Sequence, residues 1–186
     1  MSNGPEITSV KIVGCGNPLR RDDGAGIAAV RLLRQEVSRG NRRARWPNLR
    51  LEIIEVDCPG LALLDLLEGS GAALIVDAVA TGDRPGTLHR FEGWEFVRTL
   101  ISARYGSSRH VAFLTSHDLG LASVLSLGYA LYPERLPGAV VIWGVEPEAV
   151  RFGEGLSLQV ARAVPTLVAS ICEDLDWWQR EAVGTT

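Results

Sequence analysis

The sequence predicts an α/β fold in which a mostly parallel sheet is covered by helices on both faces, and three observations support this prediction. Short apolar runs such as VKIVG (10–14) and GAVVIWGV (138–145) are typical of strands buried on both faces. The first of these runs is followed by a turn-rich stretch and then by the helical pattern AGIAAVRLLRQEV. The 186 residues, 46% of them hydrophobic, are enough for one domain (1–186) with a full core.

The later elements continue this alternation, with one exception. The segment PGTLHRFEG alternates apolar and polar residues after a Pro-Gly turn, which suits an antiparallel or edge strand and would make the sheet mixed. A weak helical pattern covers 94–103. The predicted strands are 10–14, 49–56, 72–79, 85–93 and 138–145, and the predicted later helices are 61–69, 118–131 and 155–178.

The composition excludes several classes of protein. The 22 acidic and 19 basic residues give a net charge of -3, which has the wrong sign for a protein that binds nucleic-acid phosphates. No apolar run approaches the roughly 20 residues of a membrane span, and the start MSNGPEITSV lacks the features of a signal peptide, so a cytoplasmic protein with no membrane partner is expected. Cys15, Cys58 and Cys172 form no CxxC pair, and reduced thiols are expected.

The segment RGNRRARWPNLR (39–50) carries five arginines and no acidic residue. It is either a solvated loop or a docking surface for an acidic partner. Lys11 is the only lysine in the chain, which excludes mechanisms that need a buried lysine in a later element.

Functional groups in such a fold collect where strands end and helices begin. The loop after the first strand, GCGNPLRRDDGAG (14–26), ends in the carboxylates Asp22 and Asp23. One of them is expected at the N-cap or in the first turn of the helix, where carboxylates interact favourably with free amides. That interpretation does not explain both aspartates, nor Gly24 and Gly26, which allow close backbone approach.

Two further candidate residues lie at strand-to-helix junctions. Asp57 follows the second strand, and it could instead cap the helix that comes next. His117 stands directly before a helical pattern that Ser116 or Asp118 could cap, which would leave the histidine available. Together with Asp23, these residues supply two carboxylates and an imidazole, a set that suits a borderline metal such as nickel or zinc.

Other chemical signals are weaker. His89 and His110 lie in segments that are expected on the surface. Asp77 ends the third strand and could support the site, although helix capping explains it equally well. Cys15 has no obvious histidine partner, and no GxSxG or Ser/Lys signature is present, so a serine or cysteine nucleophile is not predicted.

Taken in order, the motifs GCGNPLRRDDGAG, VDCPG, VDAV with PGTLHRF, TSHDLGLASVL and WGVEPEAV resemble the hydrogenase maturation endopeptidase family. These are nickel-dependent proteases that remove the C-terminal extension from the large subunit of a [NiFe] hydrogenase. The resemblance runs from about residue 10 to residue 175. It implies a three-layer α/β/α sandwich around a mixed, mostly parallel sheet.

The resemblance also implies roles for particular residues. The metal-contacting positions fall on Asp23, which is glutamate in some members, and on Asp57 and His117, with Asp23 and Asp57 as the catalytic carboxylates of an aspartyl endopeptidase. The turn VDCPG is shorter than the Asp-Gly-Gly-Thr type turn of many members. The partner implied is the hydrogenase large-subunit precursor, which supplies the nickel, so no tightly bound metal is expected in the free protein. Either the metal polarises the scissile carbonyl, or the metal or a carboxylate activates a water.

Three other functions fit parts of the sequence. KIVGCGNP also resembles the start of peptidyl-tRNA hydrolase, but that family's catalytic histidine should follow about ten residues later, where this chain has Asp22 and Asp23. A receiver-like signalling domain would explain an acidic pair, yet it needs a lysine at a late strand. A dinucleotide-binding module would need glycine where Leu19 stands.

Overall fold

The computed structural model of the chain describes residues 7–39, 45–57, 59–93, 95, 97 and 121–183. Most of the predicted helix 94–103 lies outside the described residues, as do His110 and His117.

The core of the fold is a five-stranded sheet. Four strands run parallel, and the last in spatial order, which forms one edge, is antiparallel to its neighbour. The prediction of a mixed, mostly parallel sheet is therefore confirmed. The strands are β1 (Ser9–Cys15), β2 (Arg50–Val56), β3 (Ala72–Ala78), β4 (Leu88–Glu92) and β5 (Ala139–Val145), in the order β2-β1-β3-β5-β4.

In the described part of the chain, four α-helices with defined bounds connect and follow these strands. The last helix begins later than the predicted residue 155, because Gly155 adopts a positive φ angle of 79° that a right-handed helix cannot contain. Among the described helices, none combines the length and apolar character of a membrane span. The helices are α1 (Ala25–Arg39), α2 (Ala62–Leu67), α3 (Leu121–Leu131) and α4 (Leu158–Val183).

Side chains that alternate along each strand build two apolar layers. Ile12 and Leu74 face one side of the sheet and pack with residues of α1 and α4. Val13 and Ile75 face the other side, where α2 and α3 cover them. Each fully buried aliphatic side chain of this size contributes about 1.5 to 3 kcal/mol, so both faces contribute to stability. The arrangement is the three-layer α/β/α sandwich that was expected.

Glycine lets α1 pack unusually close to the sheet. A Cβ atom on Gly26 would lie 2.3 Å from the carbonyl oxygen of Val76 and 2.4 Å from that of Cys15. No side chain fits at these distances, so Gly26 allows the close backbone approach that its position in the sequence indicated. The contact places the start of α1 directly over the carboxyl ends of β1 and β3.

Candidate active site

The carboxyl ends of β1, β2 and β3 lie side by side at one edge of the sheet. In the strand register, Cys15 pairs with Val56, and Gly14 pairs with Val76. The loops that follow β1 and β2 therefore begin at the same level. Asp23 and Asp57 come from these two loops, and Asp77 lies near the end of β3.

Asn17 connects the two predicted carboxylates. Its backbone N–H donates a hydrogen bond to Asp23 Oδ2 (3.0 Å), and its side-chain Nδ2 donates to Asp57 Oδ2 (3.2 Å). Its Oδ1 accepts from the backbone N–H of Leu19 (2.9 Å), which fixes the orientation of the amide. One residue thus holds two carboxylates close together. Asn17 was not predicted as a site residue from the sequence, although its place in the GCGN turn was the available signal.

The adjacent aspartates Asp22 and Asp23 have different roles. Both lie in a short 3-10 helix, Arg21–Gly24, that leads into α1. The fully buried Asp22 accepts hydrogen bonds from the backbone N–H groups of Glu148 (2.9 Å), Ala149 (3.0 Å) and Ser157 (2.6 Å). Asp22 therefore fastens the connection between β5 and α4 and does not cap α1. Asp23, which is 2% exposed, faces Asn17 instead.

Asp57 does not cap the helix that follows it. The N-cap position of α2 is Leu61, and no side chain makes a capping hydrogen bond there. The capping interpretation of Asp57 is therefore wrong. Its carboxylate accepts the hydrogen bond from Asn17 at the carboxyl edge of the sheet.

Asp77 is a third carboxyl group in this region. It is buried, and its Oδ1 accepts a hydrogen bond from the N–H of the next residue, Ala78 (2.8 Å), so it is bonded within its own strand. Burial raises the pKa of Asp77 to about 7, against the opposing effect of the Ala78 hydrogen bond, and the negative charge of Asp23 adds to the rise. A carboxyl group with this pKa carries a proton for much of the time near neutral pH. The electrostatic coupling to Asp23 associates Asp77 with the candidate site.

The metal-ligand set remains a prediction. The third expected ligand, His117, lies outside the described residues. Within the residues that the structure does describe, no group of three His, Cys, Asp or Glu side chains is arranged to hold a metal ion.

His89 is not on the surface as expected. Its side chain is only 15% exposed, and its Nε2 lies 3.5 Å from Glu146 and 3.8 Å from Asp83. Glu146 is buried and accepts hydrogen bonds from the backbone N–H (2.8 Å) and hydroxyl (2.8 Å) of Thr81 and from the N–H of Gly82 (3.0 Å). Because β4 is antiparallel, His89 near its start lies at the carboxyl edge of the sheet. The hydrogen bonds of Glu146 hold the loop after β3 in place.

The arginine-rich segment is described at Arg39, which ends α1, and from Arg45 onward. The Arg45 guanidinium bonds both carboxylate oxygens of Asp176 on α4 (2.9 and 2.5 Å) and lies 5.0 Å from the ring centre of Trp46. The buried Trp46 donates its indole N–H to the same carboxylate (2.8 Å), and the hydrogen bond from Arg45 lowers the pKa of Asp176. Arg45 therefore attaches this segment to α4. Arg42 and Arg43 lie outside the described residues.

The fold and the candidate site together indicate the class of protein. The protein has a doubly covered sheet with carboxylates collected at its carboxyl edge, where ligands bind in this architecture. The two described thiols, Cys15 and Cys172, are buried and reduced.

A family model described as "Hydrogenase maturation protease" matches residues 36–174. The chain belongs to the hydrogenase maturation protease family and is a peptide hydrolase. The hydrogenase expression/formation protein HupD of Thiocapsa roseopersicina is 28% identical over 179 residues, covering 94% of this chain and 70% of HupD. The corresponding HoxM of Azotobacter vinelandii is 29% identical, covering 80% of this chain and 63% of HoxM. The chain thus spans about two thirds of these relatives.

Solved structures share the fold. The hydrogenase maturating endopeptidase HybD from E. coli has a TM-score of 0.67 at 23% identity and covers 90% of this chain and 91% of its own. The [NiFe] hydrogenase maturation protease HybD from Thermococcus kodakarensis has a TM-score of 0.62 at 24% identity, covering 90% and 99%. These comparisons do not favour a peptidyl-tRNA hydrolase, a receiver-like domain or a nucleotide-binding module.

Proposed function

We propose that this protein removes the C-terminal extension from the large-subunit precursor of a [NiFe] hydrogenase after nickel has been inserted, and that it acts in the cytoplasm. The observation that carries the proposal is the pair of carboxylates, Asp23 and Asp57, which Asn17 holds together at the carboxyl edge of the sheet. Membership of the maturation protease family supplies the reaction class.

In this proposal the nickel arrives as part of the substrate. Asp23, Asp57 and His117 complete its coordination, since two carboxylates and an imidazole suit a borderline divalent ion. Asn17 fixes the orientation of both carboxylates by one hydrogen bond to each, as residues that hydrogen-bond to metal ligands do in metal sites. The peptide is then cut either because the metal polarises its carbonyl or because the metal or a carboxylate activates a water. Both routes use the same three residues.

The clustered carboxyl groups also favour a cation at this point. Negative charges on Asp23 and Asp57 repel each other until a positive ion lies between them. Asp77 is buried with a pKa near 7, and in its protonated form it adds no further negative charge beside Asp23 in the free enzyme. The site is thereby suited to bind a metal presented by a partner without a metal of its own.

The decisive experiment incubates the protein with nickel-loaded and with nickel-free large-subunit precursor and measures the mass of the product. We expect shortening of the nickel-loaded precursor only. Asp23→Asn should abolish shortening while the fold stays intact, whereas Glu134→Gln, at an exposed position in the segment that leads to the start of β5, should process normally. Cleavage of nickel-free precursor or of generic peptides, or release of amino acids from aminoacyl-tRNA, would contradict the proposal.

The metal content of the free protein gives an independent test. Three ligands from separate loops bind a borderline ion modestly, so the protein should purify largely metal-free and chelators should leave its fold unchanged. Added Ni²⁺ or Cd²⁺ should bind weakly, and binding should be lost in His117→Ala. Zinc retained through purification at one ion per chain would show that the metal is a resident cofactor.

A further inference from the structure

Two loops beside the candidate site are tied together by backbone hydrogen bonds. The N–H of Arg21 donates to the carbonyl of Gly153 (2.9 Å), and the N–H of Gly153 donates to the carbonyl of Leu19 (3.0 Å). Farther along, the N–H of Asp22 donates to the carbonyl of Ala149 (3.3 Å). The three bonds from the Asp22 carboxylate reinforce this pairing from the buried side. The segments 17–22 and 147–157 therefore form one rigid frame.

This frame carries exposed apolar side chains. Phe152 is 87% exposed and Leu19 is 57% exposed, and Val150 is also exposed. The side chain of Arg21 lies against Gly153: a Cβ atom added to Gly153 would lie 3.4 Å from Arg21 Cγ. An aromatic side chain on a fixed backbone loses little further freedom when a partner covers it, and such residues are enriched among binding hot spots.

Three arginines on the same frame lack an ion-pair partner, although the frame also carries the exposed Glu148 and Glu154. Arg20, Arg21 and Arg151 form no ion pair with any carboxylate in the part of the chain that the structure describes, and the buried Nε of Arg20 has no hydrogen-bond acceptor. Several arginines elsewhere are paired with carboxylates: Arg31, Arg34, Arg45, Arg90 and Arg135. A partner that presents carboxylates beside an apolar group would satisfy the three unpaired guanidinium groups.

The frame is continuous with the candidate active site. Leu19 accepts the hydrogen bond from Gly153 and donates its own N–H to Asn17 Oδ1. Asn17 in turn bonds Asp23 and Asp57. The backbone next to Phe152 is therefore linked to both carboxylates through Leu19 and Asn17.

We propose that the surface formed by Leu19, Val150 and Phe152 with Arg20, Arg21 and Arg151, here called the Phe152 surface, is the docking surface for the precursor. It binds an apolar side chain of the precursor that is flanked by carboxylates. This inference rests on the proposed function and adds to it the part of the enzyme that recognises the substrate outside the reacting groups.

The test compares Phe152→Ala with Leu131→Ala. Leu131 is also exposed (56%), but it lies at the end of α3 that leads to the start of β5, and therefore at the opposite edge of the sheet. Processing is measured over a range of nickel-loaded precursor concentrations, and precursor binding is measured by biolayer interferometry. Truncation of a binding hot spot weakens binding about tenfold or more. We expect that change in Kd and KM for Phe152→Ala with kcat nearly unchanged, and no change for Leu131→Ala.

A charge variant adds a second, independent readout. Arg151→Glu should weaken binding several-fold at low salt and less at high salt, because screening shortens the reach of exposed charges. Both substituted side chains are exposed, so thermal unfolding should match the wild type.

The outcomes separate the two proposals. If the wild type binds and cleaves the precursor while Phe152→Ala and Arg151→Glu do the same with unchanged KM, the docking surface is refuted and the proposed function stands. If the wild type neither binds nor cleaves, both are refuted. If Phe152→Ala instead abolishes a dimer seen by sedimentation velocity and leaves processing unchanged, the surface joins two copies of this chain, and the docking proposal is wrong.

Discussion

Asp77 makes the stability of this protein depend on pH in a direction opposite to that of an ordinary salt-bridged carboxylate. Its pKa rises from an ordinary value of 3.8 to about 7 in the folded chain, mainly because the group is buried. The folded state therefore binds this proton more tightly than the unfolded state does. Stability from this group is fully present below the unfolded pKa and is lost as the pH rises through the folded pKa.

The size of the effect follows from the two pKa values. Each unit of difference corresponds to about 1.4 kcal/mol, so the free energy of unfolding should fall by about 4 kcal/mol between pH 4 and pH 8 through Asp77 alone. Asp77→Asn keeps an oxygen that can accept the Ala78 N–H, but it has no proton to lose. The difference in unfolding free energy between the variant and the wild type should therefore change by about 1.1 kcal/mol per pH unit between pH 5 and 7, in favour of the variant.

Urea unfolding of both proteins at four pH values from 4 to 8 measures this difference directly. The test is how the difference in unfolding free energy varies with pH. An amide that packs imperfectly would lower the unfolding free energy of the variant by the same amount at every pH, and so would not change that slope. Glu154→Gln is the matched control, since Glu154 lies in an exposed loop where its carboxylate is hydrated in both states. A difference between Asp77→Asn and the wild type that does not vary with pH would refute the assignment of a raised pKa to Asp77.

Three further predictions follow from the site and its supports. Asp22→Asn should destabilise the protein by about 2 to 4 kcal/mol, because an amide cannot accept all three backbone N–H groups; a urea midpoint equal to that of the wild type would contradict the role of Asp22 as a fastener. Gly26→Ala should cost about 3 kcal/mol or more, since its Cβ would overlap two carbonyl oxygens, and wild-type melting behaviour would show that α1 can move away from the sheet. Asn17→Ala should slow precursor processing about 10- to 100-fold while thermal unfolding stays close to wild type, and Asn48→Ala in an exposed loop is its control; an unchanged single-turnover rate would show that Asn17 does not position the carboxylates.

Much of the fold could be predicted from the sequence because the strands are buried on both faces. Runs such as VKIVG and GAVVIWGV have few structures open to them other than a central strand, and the alternation in PGTLHRFEG indicated the antiparallel edge correctly. The start of α4 was predicted three residues early, because a periodic pattern does not reveal that Gly155 adopts a positive φ angle.

The position of the candidate residues Asp23 and Asp57 in the fold was predictable, whereas their role in a site stays a prediction. Strand ends and polar residues together indicated the correct edge for Asp23 and Asp57, since parallel strands align their carboxyl ends. Capping was expected for Asp57 and for one of the adjacent aspartates because local sequence shows only local partners. The actual partners of Asp22 are more than 120 residues away in the chain, as the hydrogen bonds to Glu148 (126 apart) and Ser157 (135 apart) show. Similarly, the burial of His89 depends on its neighbours across the sheet.

Asp22 and Asp23 are adjacent in one short helix, so the proposed docking surface and the candidate site share a structural support. Asp22 fastens the segment that presents Phe152, and the next residue, Asp23, faces Asn17 and the candidate site. Because neighbouring residues in a short helix cannot move independently, a partner that settles on the Phe152 surface does so against the same rigid body that holds the carboxylates. In the proposed function the nickel arrives with the substrate, so no ion of the free protein would organise the loops of the site. In this chain the buried Asp22 carboxylate, with its three backbone hydrogen bonds, supplies that organisation.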